Sequence, residues 1–551
     1  MSLRGRLTKY PALALLIITY LISTAVVITN HYRGKGKTGE GEKIVLRIAH
    51  WQLEPGVRNA VDYCAEQFQK HHPEVEVRQI LIPEEGYFRW VNTQLIGRTA
   101  PDMIETGLGG SPQLWQKFYA RYFTPLDRHV DEPNPYNEGT ELEGVPWRQT
   151  YFDEMEGGYD EILQSYFRVP LSAFTLRLYY NRDMVREVWH PEDGSEFPKT
   201  YEEFIQLCDL LKKAHAGEKF VPIAGAKYSF DRIDTIFQTV FTAPYLDRTD
   251  VDYDGSLSTM ESAGPLYSGA IRMTEPGIES NFRIVRQVAD YSPPGATAMD
   301  REQAKFQFHQ GRAAMIPTGS WDYSTLTEQA DFDVAVTEFP IPSKDHPVYG
   351  PYVSGQPTEA DTRGGFAFGI TKVSKHPDLA LEFLQFASSL KMNEELNHRM
   401  YWIPAVLGAD LREGLEPFRP RVKGYSIALR YEAPGTTISY NQTLPRYLSG
   451  ELDYKEFVNQ YMEAYRRRLS GAGGMPKYVG DLQQTLTAQM RRAASRRAAL
   501  TEAAGAREAL TGNPDHQYKR IIEAYTSQSS SLDHEVGLWV KHATLREEKK
   551  E

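Results

Sequence analysis

Cysteine is nearly missing from this 551-residue chain, which holds only Cys64 and Cys208. Two thiols cannot build a disulfide scaffold or a four-cysteine zinc site. An excess of positive charge is missing too. The formal net charge is -11, which argues against a nucleic-acid partner, because phosphate binding needs a basic footprint. The common catalytic signatures HExxH, the P-loop and GxSxG do not occur. No internal repeat is visible. Outside one N-terminal run there are no long apolar stretches, so a polytopic membrane protein is excluded. Apolar residues at 41% and charged residues at 25% exclude disorder throughout. His71-His72 stand before a proline without a pattern of carboxylate partners, so no metal site and no cofactor is expected.

What is present begins at the N-terminus. Residues 11–29 (PALALLIITYLISTAVVIT) carry no charge, close to the about 20 residues that span a bilayer as a helix. We read 1–9 as a cytoplasmic N-terminus and 10–30 as a transmembrane anchor. Cleavage as a signal segment, near Ser23-Thr24-Ala25, stays open. Residues 31–42 (HYRGKGKTGEGE) suit a flexible tether. The length allows about two to four domains. Aromatics are abundant, with 33 Tyr and 8 Trp.

The body alternates strand and helix patterns. Residues 43–50 read as a strand, 57–68 as a helix, 74–81 as a strand and 90–96 as a helix. A short strand at 101–104 leads into Gly107 to Gly110. Such alternation implies an α/β fold with parallel sheets, whose ligands sit at the carboxyl ends of the strands. On position alone, His50-Trp51-Gln52 and Glu105-Thr106-Gly107 are candidate ligand loops. Residues 131–160 read as an acidic, loop-rich insert. Further strands are expected at 169–181, up to Ser320 and at 364–370. Helices are expected at 201–213, 379–387 and 457–465. Cys64 and Cys208 fall on apolar helix faces and read as buried thiols. Tyr179 and Tyr180 point to opposite faces of a strand, which argues against a shared iron site. Asp153, Glu154 and Glu156 read as an acidic loop. Residues 471–551 carry 12 basic and 10 acidic side chains, so the acidity belongs to the body. This tail reads as a helical C-terminal extension.

Eight local patterns then occur in a telling order. They are the opening strand ending in Trp51, APDMIE (100–105), FTPLD (123–127), VPLSAFTLRLYYNRDMV (169–185), FPKTYEEF (197–204), FHQGRAAMIPTGSW (308–321), GGFAFGITKVSKHPDLALEFLQF (364–386) and WIPA (402–405). Together they resemble the family 1 extracellular solute-binding proteins of ABC sugar importers, whose members include maltose-binding protein. The resemblance covers about 43–470. It implies two α/β lobes, each a mostly parallel sheet flanked by helices, with ligand in the cleft between them. Lobe one would be 43–170 plus 320–365. Lobe two would be 171–319 plus 366–470. The chain departs from the family in its helix anchor, its acidic insert and its tail.

The implied function is capture of a mono- or oligosaccharide outside the cytoplasm, for delivery to the permease subunits of an ABC transporter. A carbohydrate-active enzyme and a ligand sensor with a membrane partner are the alternatives. Carried over residue by residue, the resemblance makes Trp321 the sugar-stacking aromatic. Trp51, Gln52, Thr106 and Gly107 become candidate contacts at the strand ends. Phe174 stands where maltose-binding protein has a glutamate, so that hydrogen bond is expected to be absent here. Asp231 and Arg232 lie near a polar contact, and Tyr440 near an aromatic platform. Gly364 and Gly365 either let backbone approach the ligand or serve the turn. Tyr401 and Trp402 read as packing.

Overall fold

The computed structural model describes residues 43–484, 487 and 533–546, save 111, 161–162, 252, 254–256, 360–364, 422, 425–428, 434 and 473. The expected anchor and tether, residues 1–42, lie outside the described residues. Among the described residues no helix is long and apolar enough to cross a membrane.

The chain opens as a βαβαβα run: β1 (Ile44–His50), α1 (Pro55–His71), β2 (Val75–Leu81), α2 (Glu84–Gly97), β3 (Met103–Glu105) and α3 (Pro112–Tyr122). β1 pairs in parallel with both β2 and β3. Val57, Ala60, Val61, Cys64 and Phe68 line the buried face of α1, the helical spacing that the sequence shows. The acidic insert forms short 3-10 turns and a hairpin of β4 (Tyr159–Asp160) with β5 (Ser165–Tyr166). It is pinned to lobe one: the buried indole of Trp147 donates to Ser388 Oγ (3.0 Å), and Asn134 donates to the Gln385 carbonyl (2.7 Å). Asp153 accepts the backbone N–H groups of Met155 and Gly157, and Glu154 pairs with Arg148.

The expected single strand over 169–181 is two. β6 (Val169–Ala173) belongs to the first sheet and β7 (Leu176–Asn181) to the second. Phe174-Thr175 is the crossing. The apolar pattern runs through it without a glycine or proline to mark it.

Lobe two continues with α4 (Arg182–Val188), α5 (Tyr201–Ala214), β8 (Val221–Ile223), α6 (Lys227–Thr242), α7 (Thr259–Ser268), α8 (Pro276–Ala289), α9 (Arg301–His309), β9 (Ala313–Gly319), α10 (Tyr323–Glu328) and β10 (Val334–Thr337). Thr200 begins α5 with a reciprocal capping box to Glu203. The chain returns to lobe one as β11 (Gly365–Ile370), α11 (Pro377–Ala387), α12 (Leu390–Met400) and β12 (Ile403–Pro404). It crosses once more to α13 (Thr437–Leu448) and α14 (Tyr454–Ser470).

The division into lobes therefore differs from expectation at two of three crossings. Segment 320–337 stays in lobe two, because β10 pairs antiparallel with β7. Segment 365–404 belongs to lobe one, because β11 inserts between β3 and β6, and Phe366, Phe368 and Ile370 join that lobe's core. The sheets are also more mixed than expected. The orders are β12-β6-β11-β3-β1-β2 and β10-β7-β9-β8. Parallel pairing holds for β1 with its two neighbours and for β8 with β9, while the crossing strands run antiparallel. Strands that enter from the opposite lobe run against those built from local βα units.

A buried ion pair ties the crossings together. Arg177 on β7 engages both oxygens of Glu359 (2.5 and 3.1 Å) and donates to the carbonyls of Pro417 and Arg419. A helix over 475–484 and another over 533–546 extend lobe two. Met475, Tyr478, Leu482 and Leu538 join its core.

Candidate functional site

The carboxyl ends of the parallel strands lie on the same side of each sheet, which is where open α/β folds place ligands. On lobe one, β1 and β3 end at His50 and Glu105. Glu105 is fully buried. Its carboxylate accepts the Trp51 backbone N–H (3.3 Å) and the Gln52 side-chain N–H (3.0 Å). Burial pushes its pKa well above the ordinary range, against the opposing pull of those two donors. The Tyr87 hydroxyl donates to the carbonyls of Ala49 and Glu105, and its ring meets Trp51 edge-on at 5.0 Å. Trp51 and Gln52 are thus held together. Thr106 turns inward: its N–H and hydroxyl both donate to the Ala367 carbonyl. Gly107 adopts φ +102, with open space where a Cβ would stand.

On lobe two, β9 ends in a 3-10 turn over Ser320–Asp322 that carries Trp321. The ends of the parallel pair β8 and β9 also bring Tyr228, in the first turn of α6, beside it. The Trp321 ring meets Phe174 edge-on at 5.3 Å and Tyr228 at 6.0 Å. It also packs against the core of lobe one. Its indole N–H is buried and has no hydrogen-bond partner among the described residues. Asp322, next along the turn, accepts from Thr318 Oγ1 (2.6 Å) and Lys305 Nζ (3.3 Å).

Charges from both lobes act on this place. Burial raises the Tyr228 pKa; Arg232 and Arg301 oppose the rise, and Asp322 and Glu84 add to it. Burial works to lower the Arg301 pKa, yet Asp322 and Glu84 carry the net shift upward. Glu84 opens α2 of lobe one, while Arg301 opens α9 of lobe two. Glu84 of lobe one therefore acts across on Arg301 and Tyr228 of lobe two.

The structure brings together Trp51 and Gln52 on one side, and Trp321 with Phe174 on the other. Phe174 also stacks edge-on with Trp402 at 5.0 Å. A Cβ at Gly365 would collide with the Phe174 ring, so that glycine serves packing rather than approach to a ligand. Gly364 lies outside the described residues. Asp231 is engaged by Lys227 (2.8 Å), and Arg232 lies over the Tyr228 ring at 5.0 Å. Tyr440 is no platform. It is buried in the core of lobe two, donates to Asp234 Oδ2 (3.1 Å) and packs on Tyr461; α13 turns that face inward. Tyr401 and Trp402 pack, Tyr401 under the Arg412 guanidinium at 3.4 Å. Among the described residues no cluster of His, Cys, Asp and Glu could hold a metal. Cys64 and Cys208 are free and buried.

Sequence reasoning passed over Glu105 as a site residue, although it sits in a loop singled out by position. Tyr228, Glu84 and Arg301 had no local signal, because only the fold brings them together.

A family model described as bacterial extracellular solute-binding protein matches residues 54–394. An uncharacterized ABC transporter extracellular-binding protein of Pyrococcus horikoshii is 20% identical over 322 residues, 54% of this chain. The match spans 64% of that relative, just under two thirds of its length. Among solved structures, a chitin oligosaccharide binding protein superposes with TM-score 0.55 at 16% identity, covering 78% of this chain and 100% of the other. The GacH receptor of Streptomyces glaucescens, solved without ligand and with acarbose, gives 0.52 at 17% identity, covering 77% and 98%. At these identities the likeness shows the two-lobed fold.

Proposed function

The chain belongs to the bacterial extracellular solute-binding proteins, and from that premise we propose that it captures a mono- or oligosaccharide between its lobes. It would then present the loaded form to an ABC transporter permease. The observation that carries this reading is Trp321: an aromatic face beside Tyr228, with a buried N–H that lacks an acceptor. A pyranose offers apolar C–H faces to stack on aromatics and hydroxyls that accept such a donor. Opposite it, Gln52 and the Trp51 loop are oriented by Glu105. Gly107 leaves room for close approach. Phe174 supplies an apolar wall.

A ligand that touches both lobes favours the arrangement in which it reaches both, and its differential affinity is what drives closure. Hinge closure of periplasmic binding proteins is a standard instance of this. The uncharged run at 11–29 supports a tether that keeps the receptor on the outer side of the cytoplasmic membrane. Such a tether raises its effective concentration near a permease.

The test is thermal unfolding of the full chain against a panel of saccharides, with amino acids, polyamines and ferric ion as controls. A ligand at 100 times its Kd stabilises by about 2.7 kcal/mol. A shift with one saccharide class that disappears in Trp321→Ala supports the reading. A shift only with a control overturns the carbohydrate assignment and leaves the family membership standing.

A further inference from the structure

A cavity of about 420 Å³ opens on lobe two, where the last described turn of the 533–546 helix meets α14 and the 271–274 turn. Three arginines line it: Arg272 from the turn, Arg466 from α14 and Arg546 from the C-terminal helix. Val458 and Met462 give it an apolar wall, and Glu463 is its one carboxylate.

These arginines differ from many others in lobe two and at the crossings. Arg148, Arg177, Arg248, Arg283, Arg286 and Arg446 each pair with an aspartate or glutamate. Arg272, Arg466 and Arg546 form no ion pair among the described residues. Arg466 Nε is buried without a hydrogen-bond partner. Burial and then the neighbouring Arg546 both lower the Arg466 pKa, so the two guanidinium groups are close enough to repel. Arg546 is nevertheless held in place. It donates to the Tyr267 carbonyl (3.0 Å), and its guanidinium lies over the Tyr267 ring at 4.9 Å. Gathering like charges against a hydrophobic wall is unfavourable unless an anion completes the set. The planar guanidinium fork matches phosphate oxygens two at a time. The volume falls within the roughly 300–1,000 Å³ of small-molecule sites.

We propose that this cavity is a binding site for a phosphate group, gripped by Arg466 and Arg546 with Arg272 at the rim. The group belongs either to a soluble phosphate ester or to an anionic phospholipid headgroup. The site is separate from the interlobe cleft. Val458, Met462, Arg466 and Arg546 also lie outside the segment that the family model matches. The C-terminal helix thus contributes a guanidinium that the matched segment does not contain.

The experiment is calorimetric titration of the full chain at low ionic strength with glycerol 3-phosphate, inorganic phosphate and, as a neutral control, glycerol. Its second arm is co-sedimentation with phosphatidylcholine vesicles, with and without phosphatidylglycerol. The expected result is saturable one-to-one binding of the phosphate probe, or anion-dependent vesicle binding. Either weakens at least tenfold in Arg466→Gln and less in the rim variant Arg272→Gln, and is unchanged in Arg283→Gln, an arginine of the same lobe outside the cavity. Soluble binding without a vesicle effect assigns the ester. Vesicle binding that needs Arg466, without soluble binding, assigns the headgroup. If neither probe binds, or Arg466→Gln and Arg272→Gln bind like the parent, the proposal is overturned. The unfolding midpoint of Arg466→Gln without phosphate guards against misfolding, and Arg272→Gln, on an exposed turn, supplies the independent variant.

Discussion

The two sides of the proposed cleft are built on different plans. Lobe one presents a polar edge, in which a buried carboxylate, Glu105, holds the loop that carries Trp51 and Gln52. The Trp51 backbone N–H and the Gln52 side-chain amide are already engaged there. Lobe two presents aromatics, Trp321 and Tyr228, with a buried N–H left open. The difference teaches where binding energy and where orientation reside. A satisfied hydrogen-bond network fixes geometry and adds little net stability, whereas an unmet buried donor makes the first acceptor that reaches it valuable. We therefore expect lobe two to dominate affinity and lobe one to tune it.

The hardest way to break the comparison is to uncouple the lobes. Arg177 and Glu359 form a buried two-point ion pair where the crossing segments meet. Arg177→Ala leaves Glu359 buried without its cation, at a cost of about 3–5 kcal/mol. Chemical denaturation should show that loss, and the fluorescence and circular dichroism transitions should separate as the lobes unfold apart.

Next comes Trp321. Trp321→Ala removes ring and N–H together and should weaken saccharide binding by about 2 kcal/mol, roughly thirtyfold. Trp321→Phe keeps an aromatic face and should cost about 1 kcal/mol, the share of the hydrogen bond. Equal losses in the two variants, measured by calorimetry, would mean that the open N–H is irrelevant.

Lobe one should respond less, and with pH. The folded-state pKa of Glu105 is raised by burial. The stability linked to it is therefore fully present below the unfolded carboxylate pKa and declines as pH rises above it. Glu105→Gln should flatten that decline and weaken saccharide binding by about 1 kcal/mol, through a loosened Gln52. A pH series of unfolding midpoints for parent and variant reads both.

The C-terminal helix offers a sharper pH contrast. Glu535 is buried against α7, and burial lifts its carboxyl to about 7, with Glu261 adding to the rise and Ser258, Met260 and Tyr478 opposing it through hydrogen bonds. His542 on the same helix fills the space above Gly264, where a Cβ would strike its ring, and contacts Ser268 Oγ (3.1 Å). Burial, and then Lys541, lowers it to about 4. Docking weakens through Glu535 as pH rises from about 4.5 to 7, and through His542 as pH falls from about 6.5 to 4. The two slopes oppose, so the protection of 533–546 against hydrogen exchange, relative to the intrinsic rate at each pH, should vary little across about pH 5–6. His542→Phe should expose the Glu535 slope, with protection falling as pH rises. Glu535→Gln should expose the reverse.

How much of this was legible depended on whether a signal was local. The spacing of Val57, Cys64 and Phe68 and the alternation of 75–81 mark α1 and β2 directly, because each element buries its own face. The strand and turn that carry Trp321 were readable because their motif is contiguous. The crossing at Phe174-Thr175 was hidden, since both flanking strands are buried and no turn residue separates them. β10 is four residues of mixed pattern, and only its pairing with β7 places it in lobe two. Tyr440 looked like a platform because an aromatic on a helix does not reveal which way the helix faces. Arg301 stands 217 positions from Glu84, and Arg466 stands 80 from Arg546; no local pattern can join them.

The smallest effect concerns the contact between the lobes made by the extension. Asp481 lies on the 475–484 helix, which Met475, Tyr478 and Leu482 anchor in the core of lobe two. It meets Lys117 of α3, in lobe one, at 2.5 Å, with both side chains at least a third exposed. Exposed pairs contribute about 0.2–1 kcal/mol and are screened by salt. The pair favours the arrangement of lobes in which it forms, so its removal frees any other arrangement, including one closed on ligand. Lys117→Ala should thus tighten saccharide binding by no more than about fivefold at low salt and leave it unchanged at high salt. The combined change Lys117→Asp with Asp481→Lys should restore the parent affinity. An effect above tenfold that persists at high salt would instead place the extension within the hinge, and lobe two would then set affinity through its strap as well as its aromatics.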